Sequence, residues 1–197
     1  MKFLLSVLLF FGALVTAAVS QKTTPSQSIQ MPPQAPAFSA AELAAKVPAA
    51  KVEDVKSMEA ILGAIYDVIS GPAGGRDWKR FRSMFLPEAR FTQVVTGPDG
   101  SKMVITWNVD EFIRDAGEVF SKEPFYEKAM VNQPESFGNV TQVFSSYESR
   151  HSPSDKPFER GVNSIQLLND GTRWWVVSIL WDSERADNSL PAKFAKK

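Results

Sequence analysis

The chain has 197 residues, 44% of them hydrophobic, with 22 basic and 22 acidic side chains. That apolar share excludes wholesale disorder, and the balanced charge offers no field to hold nucleic acid or an anionic membrane. Cysteine is absent, which excludes disulfides, thiolate catalysis, Cys-type zinc sites and a lipid-modified cysteine anchor.

Lys2 precedes the apolar run Phe3 to Val15, and Ala18-Val19-Ser20 fits a small-x-small cleavage rule. Residues 1–20 therefore read as a Sec-type signal peptide cut after Ser20, implying a secreted or periplasmic protein with no membrane association after cleavage. The run is short for a bilayer span of ~20 apolar residues. Residues 21–51 are rich in Pro, Ala, Gln and Ser and read as a flexible linker, because proline lacks an amide proton and fixes φ. Within it, Ser39 to Lys46 has the makings of a short helix, with Ser39 as cap and Glu42 at the capping-box position.

The folded domain is expected over 52–187. Val55, Met58, Leu62, Ile65 and Ile69 recur at intervals of 3, 4, 3 and 4 residues, one apolar stripe on a helix that ends at Ser70-Gly71-Pro72 through a left-handed glycine cap. A second helix is expected from Asp77 to Leu86, stopped by Pro87. A hairpin follows, turning at Gly97-Pro98-Asp99-Gly100. Asn108 or Asp110 then caps a third helix through Ser121. The remainder reads as long antiparallel strands: Tyr126 to Phe137, bent near Pro134, then Val140 to His151, Gly161 to Leu168 and Arg173 to Trp181. The last two join through Asn169-Asp170-Gly171-Thr172, where Asp-Gly signals a two-residue hairpin turn. Residues 188–197 read as a solvated basic tail.

That turn sets a register. Pairing Asn169 with Thr172 places Gln166 opposite Trp175, Ser164 opposite Val177 and Val162 opposite Ile179. One face then carries Val162, Ser164, Gln166, Leu168, Trp175, Val177, Ile179 and Trp181, and this row is expected to face the helices. The other carries Asn163, Ile165, Leu167, Trp174, Val176, Ser178 and Leu180. Both faces are mainly apolar, so both are expected to be covered, the second by the tail or by a partner copy in a homodimer.

Helix, helix, hairpin, helix and long strands is the element order of the nuclear transport factor 2-like superfamily, including SnoaL-like cyclases and ketosteroid isomerases. Locally, Asp77-Trp78-Lys79-Arg80-Phe81 and Phe85-Leu86-Pro87-Glu88-Ala89-Arg90-Phe91 resemble a passage common to that superfamily, and Tyr147-Glu148-Ser149-Arg150, Arg160 to Leu167 and Arg173 to Trp181 resemble the last three strands of an exported bacterial branch of it. The resemblance implies an α+β cone-shaped roll, three helices packed on a curved antiparallel sheet, with a mainly apolar pocket and dimers formed sheet to sheet. It implies no one activity, because the fold hosts many.

Tyr66 stands where the resemblance puts the oxyanion-binding tyrosine of the isomerases. Their general base has no counterpart, since Phe91 to Val95 holds no carboxylate. Glu148 and Arg150, two apart on one strand face, form either a polar pair in the pocket or a salt bridge at its mouth; Asp182 is a rim candidate. The catalytic candidates are therefore Tyr66, Glu148, Arg150 and Asp182. The expected pocket lining is Tyr66, Trp78, Phe81, Trp107, Phe112, Tyr147, Ser164, Gln166, Trp175 and Trp181, suited to a small apolar molecule. His151 is the only histidine and has no partner at metal-ligand spacing, so neither a metal nor a cofactor is expected. Three readings follow: a ligand-binding module, an isomerase, cyclase or hydrolase, and a dimeric interaction scaffold.

Overall fold

A computed structural model describes residues 36–195, so the expected signal peptide and the first part of the expected linker lie outside the described residues. The elements in order are α1 (Ala40–Ala45), α2 (Val52–Val55), α3 (Met58–Ile69), α4 (Trp78–Ser83), β1 (Phe85–Thr96), β2 (Lys102–Asn108), α5 (Val109–Lys122), β3 (Tyr126–Phe137), β4 (Val140–Arg150), β5 (Glu159–Asn169), β6 (Trp174–Ser183) and a single 3₁₀ turn, Ala192–Phe194.

Capping chemistry places three helix starts. Ser39 and Glu42 form a complete capping box on α1, and Asn108 forms another with Glu111 on α5. The Asp77 carboxylate accepts from the Arg80 amide at 2.9 Å to start α4. The first apolar stripe, expected as one helix, is cut at Lys56-Ser57, where the Ser57 hydroxyl caps α3 through the Ala60 amide at 3.1 Å. Its far end is also closed differently from expectation. The Arg76 guanidinium, rather than a left-handed glycine, donates to the carbonyls of Ile69, Gly71, Pro72 and Gly74 at 2.8–3.0 Å. It takes up the carbonyls that a helix end leaves unpaired. Helix α4 stops at Ser83, short of Leu86, because Phe85 already pairs with Val176 in the sheet. Pro87 falls in the gap where the β1–β6 ladder is interrupted, a position that needs no amide proton.

The six strands form one sheet in the order β2-β1-β6-β5-β4-β3. Every pairing is antiparallel as expected except β1 with β6, which is parallel, so the sheet is mixed. In β3 the irregularity falls between Ala129 and Val131; Pro134 sits in regular register opposite Val143.

The β5–β6 register departs from expectation in two steps. Asp170 pairs with Arg173 rather than Asn169 with Thr172, because the Asp170 carboxylate gathers the Thr172 amide and hydroxyl, the Arg173 amide and the Trp175 indole N–H at 2.7–2.9 Å. Burial alone would raise that carboxyl; the donors outweigh it and hold it at about 2. A bulge at Val177 then adds one residue to β6, so Ser178 faces Gln166 and Ile179 faces Ile165. A one-residue slip exchanges the two faces.

Helices α3, α4 and α5 bury one face of the sheet. The core there joins Ile61, Leu62 and Ile65 to Phe81, Phe85 and Phe91, with Ile165, Leu167, Val176 and Ile179 from the central strands. The buried row of β5 is Gly161, Asn163, Ile165 and Leu167. This corrects the expected orientation: Val162, Ser164, Gln166 and Leu168 face away from the helices, and Trp175 shares their side opposite Leu168. There Trp175 is sealed by the Arg173 guanidinium, 3.7 Å above its ring. Residues 188–197 are not a wholly solvated tail either. Phe194 is buried against Phe144 on the outer face, and Gln133 Nε2 donates to the Lys193 carbonyl at 2.8 Å.

Candidate functional site

The ladder arranges the inner face in rows that run across the strands. At one end stand Glu127, Ser149 and Glu159, side by side on β3, β4 and β5. The next row is Ala129, Tyr147, Gly161 and Ser183, and the next Ser145, Asn163, Trp181 and Gln93. Then come Val143, Ile165, Ile179 and Phe91. One face thus runs from carboxylates through hydroxyls and an amide to hydrocarbon.

A cavity of about 510 Å³ lies over this face. Its walls are Ile65, Ile69, Phe81, Phe91, Phe112, Phe120, Phe125, Ile165, Ile179 and Trp181, and its polar groups are Tyr66, Gln93, Glu127, Tyr147, Glu159 and Asn163. The aromatics brace one another: Phe91 stacks on Phe112 at 4.3 Å and Phe120 on Phe125 at 4.7 Å between centroids.

Five of these six polar groups, all but Gln93, are held by side-chain hydrogen bonds. Tyr66 reaches from α3 to Ser145 Oγ at 2.6 Å, and Asn163 Nδ2 donates to the Tyr66 oxygen at 3.1 Å. The Ser149 hydroxyl donates to Glu127 Oε2 at 2.9 Å. The Tyr147 hydroxyl donates to Glu159 Oε1 at 2.9 Å, and Ser183 donates to the same oxygen. Gly161 makes room for this. A Cβ there would lie 2.6 Å from the Tyr147 hydroxyl and 2.5 Å from the Asp182 carbonyl, closer than atoms pack.

Burial pushes the Glu127 carboxyl up to about 7, with the Glu159 charge adding to it and hydrogen bonds from Ser149 and Asn163 opposing it. Burial also raises Tyr66, with Glu127 adding, and raises Tyr147, with Glu159 adding. Both phenols therefore stay protonated as donors, while Glu127 is divided between acid and carboxylate near neutrality. Chemically the site can hold an apolar body on its rings and exchange a proton or hydrogen bond at its Glu127 end.

Of the residues expected to line the pocket, Tyr66, Phe81, Phe112, Tyr147 and Trp181 do so. Trp78 packs behind the wall, edge-on to Phe81 and stacked on Phe120. Trp107 stacks on Trp181 at 5.8 Å, its indole N–H donating to Asp115 at 2.9 Å. Ser164, Gln166 and Trp175 share one face as expected, but that face is turned away from the helices, and the bulge at Val177 carries only Ile179 and Trp181 over to the inner one; Ser164 accepts from Gln142 at 2.8 Å and Gln166 from Ser178 at 3.0 Å. Glu148 and Arg150 pair with each other at 2.8 Å, Lys128 joins Glu148 at 3.2 Å, and neither Glu148 nor Arg150 lines this cavity. Asp182 bonds Arg185 at 2.7 Å beyond it. His151 stacks on Phe158 at 4.4 Å, and no group of metal-ligating side chains occurs among the described residues.

Glu127, Glu159 and Asn163 were not expected. The signal for them is the parity of β4. Tyr147 and Glu148 are sequence neighbours, so a pocket that takes Tyr147 takes Ser145 and Ser149 with it and turns Glu148 away. The cross-strand partners of Ser149 and Ser145 are then Glu127, Glu159 and Asn163.

No family model matches the chain, and no curated protein matches it. Solved structures do. A Mycobacterium tuberculosis protein of unknown function is 15% identical, with 69% of this chain and 80% of that one covered at a TM-score of 0.51. A Caulobacter vibrioides protein with a cystatin-like fold is 9% identical over 67% and 90%, TM-score 0.50. An NTF2-like protein of unknown function from Silicibacter pomeroyi is 12% identical over 66% and 94%, TM-score 0.46. With the two structures at 0.50 and above the chain shares its fold, cystatin-like in the Caulobacter protein: a curved mixed sheet with helices on one face. At these identities the likeness extends to the fold and no further.

Proposed function

We propose that the protein is an exported module whose cavity binds a small amphipathic molecule, apolar body on the aromatic walls and polar head at Glu127, Tyr66 and Asn163. The observation that carries this is the lengthwise grading of the inner face, from Glu127-Ser149-Glu159 to Ile165-Ile179-Phe91. A core that served stability alone gains nothing from two carboxylates beside a cavity of about 510 Å³. The export half rests on the N-terminal reading, and N-terminal sequencing beginning at Gln21 supports it, whereas a start at Met1 refutes it. Thermal-shift screening with rigid lipophilic alcohols, ketones and amines tests the binding half. A ligand at a hundred times its Kd raises stability by about 2.7 kcal/mol. Filling the cavity through Ala116→Trp should abolish that shift; an unchanged shift would move the site elsewhere.

A second reading has its own support. Glu127, titrating near 7, can accept and return a proton at neutral pH, which suits an isomerase or a dehydrating or hydrolytic enzyme. Deuterium exchange next to the carbonyl of a bound cyclic ketone, followed by NMR, should be slowed about 100-fold by Glu127→Gln, the low end of general acid–base catalysis. Equal rates in both proteins would retire the chemistry and leave the binding.

The outer face suits a second copy. Val140, Phe144 and Leu180 are 58%, 43% and 45% exposed there. A homodimer mass in light scattering, reduced to the monomer by Leu180→Lys, is the expected result; a monomer at micromolar concentration contradicts it.

A further inference from the structure

The cavity's charge is one-sided. Among the described residues that line it, Glu127 and Glu159 are ionisable acids and no lysine, arginine or histidine is present. The cations carried by the same strands are engaged elsewhere, Lys128 and Arg150 by Glu148 and Arg160 by Glu184. The two carboxylates receive only neutral donors: Ser149 on Glu127, and Tyr147 and Ser183 on Glu159. Around them stand ring faces. Phe125 lies two residues before Glu127, stacked on Phe120, and Trp181 neighbours Asn163 across the ladder.

From this arrangement the geometry points to an organic cation, a primary or substituted ammonium on a compact hydrocarbon or aryl body, as the ligand class. The inference rests on the pocket reading above and adds the sign of the ligand's charge. An ammonium placed between Glu127 and Glu159 can donate to both carboxylates and offsets one of two negative charges that no basic residue of the cavity meets, and aromatic faces, whose quadrupoles attract cations, line the same space. A carboxylate-bearing ligand of the same shape would bring a third negative charge into a poorly solvated space. A neutral alcohol keeps its hydrogen bonds but gains neither term.

Three ligands that share one rigid cage isolate the effect: 1-adamantanamine, 1-adamantanol and 1-adamantanecarboxylate, titrated calorimetrically into the purified chain at pH 8. The amine should bind at least tenfold tighter than the alcohol, taking cation–π and ion-pair gains together, and the carboxylate weakest of the three. The groups that face Glu127 in the cavity are Tyr66 on α3, Tyr147 on β4 and Glu159 on β5; α5, β1 and β6 contribute no ionisable lining residue. Lowering the pH to 5.5 should therefore weaken the amine and leave the alcohol unchanged, as Glu127 takes up its proton. Glu159→Gln and Glu127→Gln should each erode the amine's advantage over the alcohol, with an unchanged far-UV circular dichroism spectrum and a cooperative urea transition reporting that the variant is folded. Equal binding of all three, or a preference for the carboxylate, overturns the cation inference and keeps the pocket. Binding by none of them at millimolar concentration, together with no hit in the thermal-shift screen, removes the pocket as well.

Discussion

The two ends of the inner face share β4 and β5 and do opposite work. At the Phe91 end, Phe81 touches Phe85, Phe91 and Phe112 with centroids 4.6–5.9 Å apart, and every ring is bound by packing. At the Glu127 end, two partly buried carboxylates and the buried tyrosines Tyr66 and Tyr147 are tied by hydrogen bonds around a hollow. The first end supplies stability. The second spends some of it to keep polar groups in a poorly solvated place, a pattern expected of binding and catalytic sites.

Substitutions can break or sharpen this contrast. The largest effect is expected from Phe81→Ala, which leaves a ring-sized void at 1% exposure and should cost about 3–5 kcal/mol in urea unfolding. A loss below 1 kcal/mol would mean the aromatic end is not the stabilising one. Gly161→Ala comes next, at roughly 1–3 kcal/mol, since its Cβ meets a backbone carbonyl that cannot swing aside; it should also displace Tyr147 and weaken any bound ligand. Glu127→Gln acts in the other direction. The folded carboxyl titrates at about 7, above its ordinary value, so the parent holds its proton when folded and loses stability as pH rises from about 4.5 to 7. The variant has no such loss. It should match the parent at pH 4 and exceed it at pH 8 by roughly 1 kcal/mol after allowance for partial solvation, read from paired urea curves. Ser145→Ala, removing one hydrogen bond from Tyr66, should cost about 0.5–1 kcal/mol and is the smallest of the four.

Much of the fold was legible because its signals are local. Ser39 with Glu42, Asp77, and Asn108 with Glu111 announce helices within four residues of chain, and Gly100 and Gly171 mark turns with positive φ. The site was half legible. Tyr66, Phe81, Phe112, Tyr147 and Trp181 carry a size and apolarity that draw them inward whatever the register. Ser164, Gln166 and Trp175 share a face as the turn implies, but alternation does not say which of two mainly apolar faces meets the helices, and it does not reveal the bulge at Val177 that brings Ile179 and Trp181 to the inner one. Glu127 and Glu159 sit at strand starts, where a charged residue reads as a rim charge. Only the ladder through Ser149 brings them to the same row.

The parallel pairing of β1 with β6 has a consequence for how the chain is made. The sheet's last strand in sequence is third in space, wedged between the β1–β2 hairpin and the β3–β5 meander. During synthesis from the N-terminus, the hairpin has no second neighbour until residues 174–183 have emerged, and closing that gap joins segments some eighty residues apart. A chain stopped anywhere before β6 is left as two unjoined halves with bare edges, a state prone to aggregation and open to proteolysis, so maturation is decided in its final strand.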